Sequence, residues 1–206
     1  MLSATDRLYR ALKRDMVAGV LRPGDLIPVR QLSKRFRASR TPVREALIRL
    51  AQEGFVAIHP RRGAFVTGVS HRELHEIFEV REVLEPLAAR LACQSSEKKT
   101  LDAFESELRA AGQTGKYRDL VAVGMKIHAW VCGAGGNATL AAIMATLHVH
   151  MTRIFALFVN DQFVAKESYA QYQAIIDAIR DNDPGAAEAA MRRHIVFAKE
   201  QMLKGV

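Results

Sequence analysis

The chain has 206 residues, of which 49% are apolar and 25% charged, and its formal net charge is +8 at pH 7. This balance is typical of a globular protein with one or two domains and argues against a disordered chain. We see no secretion signal at the N-terminus and no apolar run as long as a membrane span, so we expect a cytoplasmic protein that does not enter a membrane. Cys93 and Cys132 are accordingly expected to be reduced thiols.

The positive charge is confined to the first third of the chain. Residues 1–70 contain fourteen Lys and Arg against five Asp and Glu, a net charge of +9. The remainder contains sixteen against seventeen, a net charge of −1. A basic domain joined to a nearly neutral one indicates that only the first binds a polyanion.

The basic third predicts a short series of helices followed by a hairpin. In chain order we predict a helix over 5–18, a turn at 22–25, a short strand at 26–27, a helix from 28, a helix from 39 that ends at Gly54, and β-prone runs at 55–58 and 64–66 around a basic tip at 60–63. This order is that of a winged helix-turn-helix.

The helix that starts at 39 has one apolar and one polar face. Its apolar residues recur at helical spacing and are Val43, Ala46, Leu47, Leu50 and Ala51. Ser39 and Thr41 can cap this helix, and Pro42 suits its first position. Arg40, Thr41 and Arg44 crowd its exposed first turns, where guanidinium groups can enter a DNA major groove. Taken alone, the same pattern also fits an ordinary surface helix with a basic turn.

This part of the chain resembles the GntR family of bacterial transcription regulators. The motifs lie at 23–24, 32–33, 39–47, 50–54 and 62–66, within about residues 5–68. The resemblance implies that DNA is contacted by the second helix, the start of the recognition helix and the tip of the wing. Carried over position by position, these contacts fall on Arg30, Arg40, Thr41, Arg44, Arg62 and Gly63.

Residues 71–206 contain no β-prone run and predict an all-helical bundle. Six helices can be drawn, at 71–94, 97–111, 116–133, 138–159, 162–181 and 184–203. Asn137 and Asp183 are expected to cap the fourth and the sixth. The predicted fold is therefore mainly α, with a winged helix-turn-helix domain at 1–69 and an all-helical effector and dimerisation domain at 70–206.

Five polar side chains lie on apolar stripes of these helices. They come from five different helices and are Arg81, His128, Arg153, Tyr172 and His194. One such residue is most often a hydrogen-bonded core residue, and Arg81 alone could be paired with Glu85 one turn later. Five together predict a shared polar site, because unpaired buried charge is costly, and the arginines suit a small carboxylate ligand.

The helical part resembles the FadR-type effector domain, the FCD domain, at 79–92, 127–128, 136–137 and 190–195. Many such domains hold an organic acid through a divalent metal bound by one Asp and three His. Here Gly124 stands where the Asp is expected and Tyr172 where the second His is expected, which leaves His128 and His194 as the remnant of that set. Two imidazoles hold a metal poorly, so we expect an organic acid bound directly rather than through a metal.

These observations predict a bacterial transcription regulator, and more specifically a repressor, rather than an enzyme. We expect it to bind a short palindromic operator in double-stranded DNA as a homodimer and to respond to a small organic acid. One alternative is a DNA-binding architectural protein without an effector, which would bend DNA of any sequence. The other is a metal-dependent enzyme that uses His128 and His194, which would turn over candidate acids; no nucleophile motif or phosphate-binding loop accompanies these histidines.

Overall fold

The structure is a computed structural model that describes residues 2–158 and 165–204. The described residues form helices and one two-stranded sheet, in the order α1 (Ala4–Val17), α2 (Val29–Arg35), α3 (Arg40–Gln52), β1 (Val56–His59), β2 (Gly63–Val66), α4 (His71–Ala92), α5 (Thr100–Thr114), α6 (Tyr117–Ala134), α7 (Ala138–Phe158), α8 (Ala165–Arg180) and α9 (Pro184–Lys204). The mainly α fold with one small hairpin is thus confirmed. The predicted break at 160–161 and the predicted helix start at 162 lie outside the described residues.

The chain divides into two compact units. One consists of Met1–Ser70 with Val149–Leu157, and the other of His71–His148 with Phe158–Val206. The first unit is built around α1 and α3, whose facing residues, such as Leu8 and Leu50, are fully buried. Short helices, a buried core and the hairpin appear in the order predicted for a winged helix-turn-helix.

Two local details of this unit differ from the sequence prediction. Ser39 is the N-cap residue of α3, but its side chain makes no capping hydrogen bond. The helix begins at Arg40, so Pro42 is its third residue rather than its first. Leu26 forms an isolated bridge with Phe65 instead of a separate strand, because it continues the edge of the hairpin over only one residue.

The hairpin pairs β1 with β2 in antiparallel register, from Val56 opposite Val66 to His59 opposite Gly63. Gly63 has a φ of 111°, a conformation that L side chains rarely adopt. A Cβ at this position would also lie 2.9 Å from a methyl group of Leu26. The geometry of the wing therefore requires glycine at 63, independently of any contact with DNA.

The second half of α7 contributes to the first unit. Val149 packs against the core of that unit. Arg153 is only 5% exposed; it donates a hydrogen bond to the Gly54 carbonyl and another, 3.1 Å long, to the Thr67 hydroxyl. The first unit is therefore assembled from two stretches of the chain, whereas the sequence predicted a single stretch, residues 1–69.

The second unit is all-helical, with α4 packed along α9 and α6, and α8 packed along α9 and α5. Asn137 accepts a hydrogen bond from the backbone of Leu140 at 3.0 Å, and Asp183 accepts one from Ala186 at 2.9 Å, which confirms both predicted caps. Ala138–Phe155 of α7 is long and apolar enough to cross a membrane by length and composition alone. Leu140 and Met144 of this stretch are nevertheless buried within the protein.

Candidate functional site

The exposed surface of the first unit carries the residues predicted to contact DNA. Arg40, Thr41 and Arg44 occupy the first two turns of α3 and are all exposed, while Val43 on the opposite side is buried. Arg30, the second residue of α2, is also exposed. A short helix that presents guanidinium groups at its N-terminal end can reach base edges in a major groove.

The wing presents a second exposed basic group. Arg62 and Gly63 lie at the tip of the hairpin and are exposed, as is Arg61. Cationic side chains at the tip of a narrow hairpin can follow a phosphate backbone or enter a minor groove. The surface thus presents an exposed basic helix start and an exposed basic wing tip, and the individual DNA contacts remain predictions.

Acidic side chains of the first unit are engaged by its own basic and hydroxyl groups. Glu45 accepts a hydrogen bond from Thr5 at 2.8 Å, and Asp6 pairs with Arg49 at 2.8 Å. Asp15 lies 3.6 Å from Arg35, which partly neutralises that arginine.

The second unit contains a buried cluster of charged and polar side chains. Arg81 on α4 is 1% exposed, and its Nε donates to Glu85 one turn later at 2.5 Å. The other carboxylate oxygen of Glu85 accepts from Nδ1 of His128 on α6. One buried carboxylate therefore joins two basic side chains from different helices.

The hydrogen-bond chain continues through a second histidine. Nε2 of His128 lies 3.2 Å from Nε2 of His194 on α9, and Nδ1 of His194 lies 3.0 Å from the side-chain oxygen of Gln171 on α8. The hydrogen-bond chain thus runs from Arg81 through Glu85, His128 and His194 to Gln171 and joins side chains of α4, α6, α9 and α8.

Tyr172 on α8 fills the space beside Gly124 on α6. Its ring centroid lies 5.7 Å from that of His128 and 4.4 Å from that of His194. A Cβ at position 124 would lie 2.0 Å from the Tyr172 hydroxyl oxygen. The ring therefore occupies the volume that any side chain at 124 would need.

Burial and neighbouring charge set the protonation of these groups. Burial acts to raise the pKa of Glu85, but Arg81 and His128 more than offset it and hold this pKa well below its usual range. Burial lowers the pKa of His194 well below its usual value and raises that of Tyr172. Burial likewise lowers the pKa of His148 to about 4. Glu85 is therefore ionised near neutral pH, whereas His148, His194 and Tyr172 are uncharged.

The residues present do not fit a metal ion. Among the described residues, no group of three or more His, Cys, Asp and Glu side chains is placed to hold one. His128 and His194 face each other, but Nδ1 of each is engaged by Glu85 or Gln171. A carboxylate at 124, the missing member of the family's set, would collide with Tyr172. Two facing imidazoles fall short of the three or four protein ligands of a usual zinc site.

The structure brings together four of the five predicted pocket residues. The buried cluster contains Arg81, His128, Tyr172 and His194. Arg153 instead lies in the first unit with Gly54 and Thr67, so the expectation that it lines the same site is not met. Helical spacing identified the buried face of α7 but could not say which unit that face packs on. Glu85 and Gln171 were missed as members of the site; the spacing of Glu85 from Arg81 was the signal for the first, and the sequence carried no comparable signal for Gln171.

Comparisons with known proteins agree with this two-part architecture. Residues 4–66 match the gntR family of bacterial regulatory proteins, and residues 76–197 match the FCD domain. The chain is 26% identical over 199 residues to the HTH-type transcriptional repressor RspR of Escherichia coli strain K12, covering 95% of this chain and 87% of that protein. It is also 26% identical over 185 residues to the Nta operon transcriptional regulator of Aminobacter aminovorans, covering 89% of this chain and 87% of that protein.

Solved structures share the fold over the whole chain. A GntR transcriptional regulator from Rhodococcus sp. RHA1 superposes with a TM-score of 0.85 at 17% identity, covering 100% of both chains. The E. coli protein McbR/YncC superposes with a TM-score of 0.80 at 22% identity, covering 99% of both. The relatives are transcription regulators rather than enzymes. The chain therefore belongs to the GntR family of bacterial transcription regulators and carries an FCD effector domain.

Proposed function

We propose that this regulator binds a short palindromic operator as a homodimer and that a small organic acid, bound without a metal in the helical unit, modulates this binding. The observation that carries the effector part is the buried cluster of Arg81, Glu85, His128 and His194, in which one carboxylate joins an arginine and a histidine from different helices. A bundle that needed only stability would be served as well or better by apolar side chains at these positions.

A carboxylate ligand matches the chemistry of the cluster. The guanidinium of Arg81 is a charged hydrogen-bond donor group that prefers carboxylates. The neutral hydroxyl of Tyr172 can donate a further hydrogen bond. Direct binding by these groups needs no metal, which accords with a donor set that does not fit one.

The operator part rests on the single winged helix in each chain. One module buries too little surface to select a sequence strongly, and two modules related by a two-fold axis read paired half-sites. The repressor named among the relatives makes repression the expected mode of action.

The effector is tested by thermal shift with a panel of small mono- and dicarboxylic acids, each with and without chelator. We expect at least one acid to raise the melting temperature equally in both conditions and to change operator affinity. Arg81→Ala and the milder Arg81→Lys should abolish the response, whereas Arg90→Ala, at an exposed position on the same helix, should preserve it. A response that chelator removes but Arg81→Lys leaves intact would contradict direct binding. Bending of DNA regardless of sequence, with no responding acid, would favour an architectural protein.

A further inference from the structure

One row of polar side chains on α3 is bound to α1. Glu45 accepts a hydrogen bond from Thr5 at 2.8 Å, and Arg49, one turn later, pairs with Asp6 at 2.8 Å. The guanidinium carbon of Arg49 also lies 4.3 Å from the centroid of the Tyr9 ring. These side chains are engaged within the first unit, so this row is not the part of α3 that is best placed to contact a base.

The adjoining row of α3 ends in an exposed isoleucine. It consists of Arg40, Arg44 and Ile48, which recur at i, i+4 and i+8 and are all exposed. Ile48 is 50% exposed, whereas Val43 and Leu50 on the core side of the same helix are completely buried. A single exposed apolar side chain on another surface would need no explanation. Here it continues a row of two arginines predicted to enter a major groove, so the groove that receives the arginines would also receive Ile48.

The spacing of Ile48 from its neighbours suits contact with a base. Thr41, Arg44 and Ile48 lie at i, i+3 and i+7 on the exposed side of α3. A helix that lies in a major groove contacts bases from positions with this spacing. Ile48 follows Arg44 by one turn, which is about 6 Å along the helix axis and so about two base-pair steps along DNA. The two side chains can therefore reach base pairs that are close neighbours.

The chemistry of isoleucine limits what Ile48 can recognise. Its side chain has no hydrogen-bond donor or acceptor, so it gains nothing from phosphate oxygens or from the polar atoms of base edges. The one methyl group that the four bases present in the major groove is the C5 methyl of thymine. We propose that Ile48 recognises a thymine through this methyl group, within about two base pairs of the base that Arg44 contacts. This inference rests on the proposed function and deepens it, since it names a base that the operator must contain.

The test compares thymine with deoxyuridine in an operator that the full chain selects from randomised duplexes. Deoxyuridine lacks the C5 methyl group but pairs as thymine does, so replacing each thymine in turn isolates the methyl contact. At one thymine in each half-site, the replacement should weaken wild-type binding about fourfold, and about fifteenfold when both half-sites are changed, the effect of losing one apolar methyl contact in each. In Ile48→Ser the dissociation constants for thymine and deoxyuridine at this position should become equal.

The comparison separates a base contact from a structural effect. Serine and isoleucine have similar helix propensities, so Ile48→Ser should leave α3 intact. The ratio of the two dissociation constants is measured with the same protein, and a general loss of stability or of DNA affinity therefore cancels from it. The matched control is Val20→Ser, at a 69% exposed position beyond the end of α1, which should keep the full wild-type ratio.

Several results would overturn thymine recognition by Ile48: a wild type that is indifferent to every thymine methyl group, a ratio that persists in Ile48→Ser, or a ratio that Val20→Ser also abolishes. A changed sedimentation coefficient of Ile48→Ser with an unchanged ratio would assign the side chain to a protein contact and also overturn it. Failure to select any sequence would contradict operator binding itself, and the Ile48 contact would fail with it. A selected palindrome without a sensitive thymine would contradict only the Ile48 contact.

Discussion

Gly124→Ala tests whether Tyr172 fills the place of the missing side chain. The added Cβ would lie 2.0 Å from the Tyr172 hydroxyl oxygen and 2.3 Å from Cζ, whereas ordinary contact begins near 3.4 Å, so the ring would have to move by about 1.4 Å. Tyr172 is only 6% exposed and is flanked by the rings of His128 and His194, so such a movement disturbs the whole cluster. Overpacking of this kind costs about 1–3 kcal/mol.

Gly133→Ala on the same helix is the matched control. A Cβ at 133 meets nothing within 4 Å, and replacing a helical glycine by alanine gains up to about 1 kcal/mol. Both variants share this gain, so the difference in stability between them reports the cost of overpacking alone. For a chain of this size, about 1–3 kcal/mol corresponds to roughly 2–12 °C in melting temperature. Calorimetry measures the melting temperatures, and urea unfolding measures the difference in free energy. Adding Tyr172→Leu should remove most of the loss in Gly124→Ala. Equal stability of the two alanine variants would refute the reasoning.

Three further outcomes are expected. Arg44→Ala should weaken binding to the selected operator by about 1–3 kcal/mol per half-site and change non-specific DNA binding little. Arg35→Ala should weaken both kinds of binding slightly and to the same extent, because Asp15 already neutralises part of the charge of Arg35. If titrations at several salt concentrations show that Arg44→Ala weakens binding to all sequences equally, Arg44 does not read a base. Arg153→Ala should lower the unfolding free energy by about 1.5–3 kcal/mol and speed amide hydrogen exchange around Gly54, although the Thr67 hydroxyl still donates to the Gly54 carbonyl. Unchanged hydrogen exchange would contradict the role of the Arg153 hydrogen bonds. The free energy of unfolding should fall as the pH drops from 6.5 towards 4, because His148 and His194 remain neutral in the folded protein and bind protons once unfolded. His148→Gln should reduce this pH dependence in part. Urea titrations that give the same free energy of unfolding across this pH range would contradict the reasoning.

The winged helix-turn-helix could be predicted closely because its signals are local. The apolar face of α3, the turn before it and the basic hairpin tip each lie within a dozen residues, so no knowledge of distant contacts was needed. The shared cluster of Arg81, His128, Tyr172 and His194 could also be predicted, since each lies on an apolar stripe that has to face the interior.

The remaining parts of the site depended on long-range packing. The sequence predicted the buried face of α7. It could not predict the unit in which Arg153 is buried, because this depends on the point along α7 at which the helix passes from one unit to the other. Gln171 entered the hydrogen-bond chain only because α8 and α9 lie side by side. Such partners are set by packing between helices that are distant along the chain, which periodicity does not report.

The hydrogen bonds of Arg153 bear on how this regulator could be divided or recombined. A fragment ending at residue 70 would lack Val149, which packs against the core of the first unit. It would also lack the buried guanidinium of Arg153, which donates a hydrogen bond to the Gly54 carbonyl. The DNA-binding module is thus not a contiguous block that can be exchanged intact between effector domains. A chimaera joined at residue 70 would have to bring a helix segment equivalent to Val149–Leu157 from its new effector domain, which limits the domains that can be shuffled onto this winged helix.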